Sequence, residues 1–145
     1  MPRTKAAPPT TKVLYAPHEL SLAVVGLDFP NADRSNRRFE MALCIRGEPV
    51  HLVPEPSNRA DPRAIAVVSC RGIQLGYLTA ERCGLIGGWL AAGEKHEAVF
   101  QEPGRYAAVI RVRFGGGRLS LPVERDDVVW DRQEMGYGEQ VDWGC

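Results

Sequence analysis

The chain has 145 residues, 18 Lys+Arg against 18 Asp+Glu, and 44% hydrophobic residues. That length supports one domain with a real core but not two comfortable ones. No apolar run approaches the ~18 residues of a membrane span. The N-terminus also lacks the basic-then-apolar pattern of a secretion signal, so a soluble cytoplasmic protein is expected. The zero net charge hides an asymmetry. Residues 1–123 carry 16 cations and 11 acids, a balance of +5, whereas residues 124–145 carry 2 and 7, a balance of −5. A basic body with an acidic tail can accompany a nucleic-acid partner. Most of the cations are Arg, which suits phosphate or simply reflects an Arg-favouring codon usage.

Residues 1–17 are rich in Pro and Thr, contain Arg3, Lys5 and Lys12, and hold no acid. They are expected to form a disordered basic arm, either a follower of a phosphate backbone or a solubilising tail. Leu20 to Phe29 reads as a first strand, with Gly26 at a bulge or close approach. After Pro30-Asn31, Ser35 is placed to cap a short helix through about Ile45, with Phe39, Ala42 and Leu43 as its apolar face. Arg34, Arg37 and Arg38 stand near its start, either as an anion-holding group or as a solvated face.

Pro49 to Glu55 alternates as a second strand with His51 outward. Pro56 to Pro62 is turn-prone. Because proline restricts the residue before it, Glu55 and Asp61 are expected to be extended, which leaves Ser57, Asn58, Arg59, Ala60 and Asp61 on a stiff exposed loop. An amide, a guanidinium and a carboxylate on a rigid support suit a polar binding site. They are also good turn formers that satisfy nearby backbone groups.

Ala64 to Cys70 and Ile73 to Leu78 flank Arg71-Gly72 as a hairpin. Thr79 caps a second helix whose apolar stripe is Leu85, Ile86, Trp89 and Leu90 and whose end is Gly93. Gly84, Gly87 and Gly88 weaken it unless a neighbour packs closely. His96 to Phe100 and Tyr106 to Phe114 read as two strands, the second with Arg111 and Arg113 on its polar face. Gly115 to Gly117 reads as a turn, and Arg118 to Val123 as a last strand. Residues 124–145 form an acidic tail whose Trp130, Tyr137 and Trp143 either dock or leave it disordered. The expected count is about seven strands and two helices: a mostly β chain with two short helices, of the small-barrel kind.

Catalysis finds little support. Neither a G-x-S-x-G nor an H-E-x-x-H motif occurs, and no phosphate-binding loop is present. The cysteines Cys44, Cys70, Cys83 and Cys145 and the histidines His18, His51 and His96 lack zinc-site spacing. Cys44, Cys70 and Cys83 are expected as buried free thiols. No cofactor and no metal are expected, and the chain reads as a non-enzyme.

The run Glu55-Pro-Ser-Asn-Arg-Ala-Asp-Pro-Arg-Ala-Ile-Ala-Val67 resembles the signature of the HIRAN domain, a small module of DNA-repair helicases that also occurs alone in bacteria. Val24-Val25-Gly26, Asn31-Ala-Asp-Arg-Ser-Asn-Arg37 and Gly72-Ile-Gln-Leu-Gly-Tyr-Leu78 extend the likeness over roughly residues 20 to 114, within a domain of residues 18–123. The resemblance implies an OB-like β-barrel, with the free 3′ end of single-stranded DNA as ligand in a repair or replication-restart setting. A helicase or nuclease is the kind of protein partner expected, and the lack of a spanning apolar run leaves no membrane partner expected. Asp61 matches the family carboxylate that accepts from the terminal 3′-hydroxyl, and Asn58 matches the amide beside the terminal base. Phe29 matches a stacking aromatic, although it equally suits a core position, and Tyr77 falls at a ligand-facing position after Gly76.

This chain also departs from the family pattern. The second stacking aromatic of the repair members falls at Ala60, and their basic residues fall at Asp28 and Ala80. Arg37, Arg38, Arg59 and Arg63 are the candidates to restore that charge. A protein-interaction adaptor without DNA binding is the alternative reading, favoured by the balanced charge and the aromatic-bearing acidic tail.

Overall fold

The computed structural model describes residues 17–122. The expected basic arm (but for Pro17), Val123 of the expected last strand and the expected acidic tail 124–145 lie outside the described residues.

Six strands and two helices follow in the order β1 (His18–Val25), α1 (Arg37–Leu43), β2 (Val50–Pro54), β3 (Ile65–Ser69), β4 (Gln74–Leu78), α2 (Ala80–Ala91), β5 (His96–Glu102) and β6 (Ala108–Phe114). The strands form one antiparallel sheet in the order β2-β3-β4-β1-β6-β5. Its two edges meet where Pro49 bridges Val99. There Phe100 N donates to Glu48 O at 2.8 Å and Gly47 N donates to Phe100 O at 2.8 Å. The sheet is therefore a nearly closed, OB-like barrel. Alternation along each strand sends Leu22, Val24, Val67, Leu75, Ile110, Val112 and Phe114 into its interior. Trp89 of α2 packs at 4.9 Å from the Phe114 ring and stacks on His18 at 4.4 Å.

Several expectations are corrected. The first strand stops at Val25, because Gly26 takes φ +81° and Phe29 N turns back to Gly26 O at 3.2 Å. The cap of α1 is Asn36, whose side chain accepts from Phe39 N, while the Ser35 hydroxyl donates to Asp33. The helix also presents the opposite face from the one expected: Arg37, Glu40 and Met41 are buried, and Phe39, Ala42 and Leu43 face outward. Thr79 stands at the N-cap of α2, but its side chain makes no capping hydrogen bond. Leu85 is exposed, whereas Ile86, Trp89 and Leu90 pack on the core.

Residues 118–122 form no strand. Instead, Ser120 is held by Glu19 and Pro122 by Arg46 through side-chain hydrogen bonds. Cys83 is buried and Cys44 half-buried, but Cys70 is exposed beside the Arg71-Gly72 turn. The polar face of β6 is not free charge, because Glu19 lies across from Arg113 and accepts from it at 2.8 Å and from Arg111 at 3.2 Å.

Candidate nucleic-acid interface

The loop between β2 and β3 is built by its own polar side chains. Glu55 N donates to Ala64 O at 2.9 Å and closes the loop's base. Asn58 Oδ1 accepts from Ala60 N at 2.9 Å and Asp61 N at 3.0 Å, while its Nδ2 donates to Glu55 Oε1 at 3.0 Å. Asp61 Oδ1 accepts from Arg63 N at 2.9 Å. These are Asx turns, which hold the backbone where no sheet partner exists.

Tyr77 joins this loop to a second one. Its hydroxyl donates to Glu55 Oε1 at 2.9 Å, and the Arg37 guanidinium lies 5.6 Å from its ring centroid. Arg37 is only 6% exposed. Its Nε donates to Asn31 Oδ1 at 2.6 Å and its Nη1 to Gly26 O at 2.9 Å. Asn31 in turn donates from Nδ2 to Gln74 O at 3.0 Å. The segment 26–36 is thus clamped onto β4 from inside, with Arg37 as the clamp.

On the outside of that segment lies a shallow pocket of about 220 Å³ lined by Asp28, Phe29, Arg34 and Arg38 among others. Phe29 is 66% exposed on its rim, so it is not core. Arg38 donates to both oxygens of Asp28, the second at 3.2 Å, and to Arg105 O at 2.8 Å. The guanidinium beside Asp28 holds that carboxyl below its usual range. Asp28 thus occupies a neighbouring arginine.

Arg59 and Arg63 are exposed, and their side chains make no hydrogen bond or ion pair among the described residues. Arg63 lies against α2, its Nη2 3.5 Å from where a Cβ on Gly84 would sit. Ala80 and Gly84 are one helical turn apart and share a face. Arg63 thus carries its charge one turn from Ala80.

Among the candidates, Asn58, Asp61, Arg59 and Arg63 stand on one loop, and Tyr77 ties that loop to the segment carrying Phe29, Arg37 and Arg38. Sequence reasoning missed Glu55 as the shared acceptor of Asn58 and Tyr77, and Asn31 as the partner of Arg37. An acid just before a proline turn, and an amide just after Pro30, were the available signals. It also left Arg34 outside the site, although that residue lines the pocket with an uncommon φ of +74°. Among the described residues no His/Cys/Asp/Glu group is arranged to hold a metal, and no helix is long and apolar enough to cross a membrane.

A small, nearly closed barrel with a stiff polar loop and an exposed aromatic at its rim is a binding module of the OB-like class. A HIRAN domain profile matches residues 19–101, more than half of the chain, and the chain belongs to the HIRAN domain family. The fold is similar to the crystal structure of the HIRAN domain of human HLTF, at 23% identity and a TM-score of 0.53, covering 66% of this chain and 74% of that one. An NMR structure of the same domain compares at 24% and 0.51, covering 71% and 80%. A crystal structure of a Lactobacillus plantarum protein compares at 18% and 0.57, covering 68% and 95%. No curated protein sequence matches the chain.

Proposed function

We propose that this chain is a non-catalytic nucleic-acid-binding module of the cytoplasm. In this reading it takes single-stranded DNA with the free 3′ end against the Asn58–Asp61 loop, in a repair or replication-restart setting. Membership of the HIRAN family supports a nucleic-acid ligand. The observation that carries the finer reading is the state of Asp61. One carboxylate oxygen is fixed by Arg63 N at 2.9 Å, and the other accepts no hydrogen bond among the described residues. A half-buried carboxylate oriented in this way is a ready acceptor for a hydroxyl. Phe29 offers a stacking face, and Arg63 with Arg59 offers phosphate contacts. Burial pushes the Cys44 thiol up to about 11, so it stays protonated and is no nucleophile.

A carboxylate accepts from a 3′-hydroxyl and repels a 3′-phosphate. A charge-assisted bond contributes roughly 1.5–3 kcal/mol, or about 10- to 150-fold in affinity. The native protein is expected to prefer 3′-hydroxyl over 3′-phosphate oligonucleotides by about that factor in competition binding. Asp61→Asn keeps an acceptor for Arg63 N and should erase the preference while the melting temperature holds. A native protein that binds both oligonucleotides equally would overturn the 3′-end reading.

A further inference from the structure

The outward face of α1 has no partner in the described fold. Phe39 is 66% exposed, Leu43 45% and Ile45 65%, and the first two share one helical face. A short helix that buries Arg37 and Glu40 while exposing Phe and Leu is inverted relative to the usual pattern, and a contiguous exposed apolar face marks a docking site.

The described chain ends against Arg46 and Gly47, just past the C-terminal end of this helix. Leu121 packs near Gly47, its Cδ1 3.8 Å from where a Cβ on that glycine would sit. Pro122 O accepts from Arg46 Nη2, and Ser120 is held by Glu19 through both its N–H and its hydroxyl at 3.1 Å. The chain is thereby delivered to the C-terminal end of α1. Val128-Val129-Trp130 comes after five intervening residues, 123–127. Those five span up to ~17 Å when extended, whereas α1 is only about 10 Å long. Met135, Tyr137 and Trp143 follow. The segment's seven acids against two arginines suit the exposed Arg105, whose backbone carbonyl accepts from Arg38, the neighbour of Phe39.

We propose that residues 123–145 of this same chain cover the Phe39–Leu43–Ile45 face, with Val128-Val129-Trp130 as the apolar contact. A tether of this length gives an effective concentration of about 1 mM, so a contact with an intrinsic Kd of about 0.1 mM is already mostly formed. The proposal is independent of the ligand assigned to the Asp61 loop.

Amide hydrogen exchange on the full chain tests it. Amides around Val128 to Trp130 are expected to exchange about tenfold more slowly than in an unstructured peptide. Phe39→Gln with Leu43→Gln, which keeps good helix formers at exposed positions, should abolish that protection and leave the strands' protection unchanged. Trp130→Ser should do the same with α1 intact. Exchange at the unstructured rate in the native chain, or protection that survives the double substitution, overturns the proposal. So does protection that disappears on dilution, which would assign the face to a second copy.

Discussion

The polar groups of the candidate site divide by how many of their atoms the fold already uses. Asn58 serves two backbone N–H groups and Glu55, and Arg37 serves Asn31, Gly26 and the face of Tyr77. Asn58→Ala is expected to cost roughly 0.5–2 kcal/mol, like the loss of a helix cap. Arg37→Ala removes a buried guanidinium and orphans two acceptors, so it should cost more, about 2–3 kcal/mol. Urea midpoints at constant m measure both. An Arg37→Ala midpoint equal to the native one would show that the guanidinium does not clamp the 26–36 segment. The loop's residues were legible in the sequence because Asn, Asp and Pro at these spacings have few other uses. The inward turn of Arg37 was not legible. Burying an arginine is favourable only where partners wait, and Asn31, Gly26 and Tyr77 come together only in the folded barrel.

The strands read well from sequence because period-two alternation reports directly on a barrel with one inner face. The face of α1 was misread for a definite reason. Seven residues give too few turns for a pattern, and its buried Glu40 is satisfied by Ser69 Oγ at 2.7 Å and Arg71 Nε at 2.7 Å, both distant in sequence. Glycines show the same division between local and tertiary causes. A Cβ on Gly76 of β4 would lie 2.2 Å from Val25 O on the neighbouring β1, so the two strands pair only because that side chain is missing. A Cβ on Gly88 of α2 would meet nothing within 4 Å. Gly76→Ala is therefore expected to destabilise by about 3 kcal/mol or more through forced strand separation. Gly88→Ala should stabilise by about 0.5–1 kcal/mol through helix propensity. Thermal melts of the two variants check the pair, and a stabilising Gly76→Ala would refute the close β1–β4 approach.

Across the whole molecule, the barrel depends on ion pairs that bridge parts of the chain far apart in sequence. Glu19 on β1 accepts from Arg113 and Arg111 on β6 and from Ser120 beyond it, so one carboxylate holds the first strand, the last strand and the departing chain together. The Arg113 hydrogen bond, aided by Ser120 and Arg111 and opposed by desolvation, lowers its pKa from the ordinary 4.5 to about 2. Elsewhere, Arg71 of the β3–β4 turn binds Glu40 and Glu48 near the seam where β2 meets β5, and it holds the Glu48 carboxyl below its usual range. A depressed folded pKa stabilises the native state above the unfolded value and loses that contribution as pH falls through the folded value. Stability should thus be flat near neutrality and decline from about pH 4.5 towards pH 2. Glu19→Gln is expected to lower stability at pH 7 by on the order of 1–2 kcal/mol, a figure discounted for the solvent that reaches the arginines. At pH 2 the native and Glu19→Gln proteins should converge, because the native carboxylate is then substantially protonated. Urea unfolding of both at pH 7, 4 and 2 measures this convergence. A difference that stays constant with pH would mean that Glu19 acts through packing rather than charge, and that the closure of β1 on β6 does not depend on its ionisation.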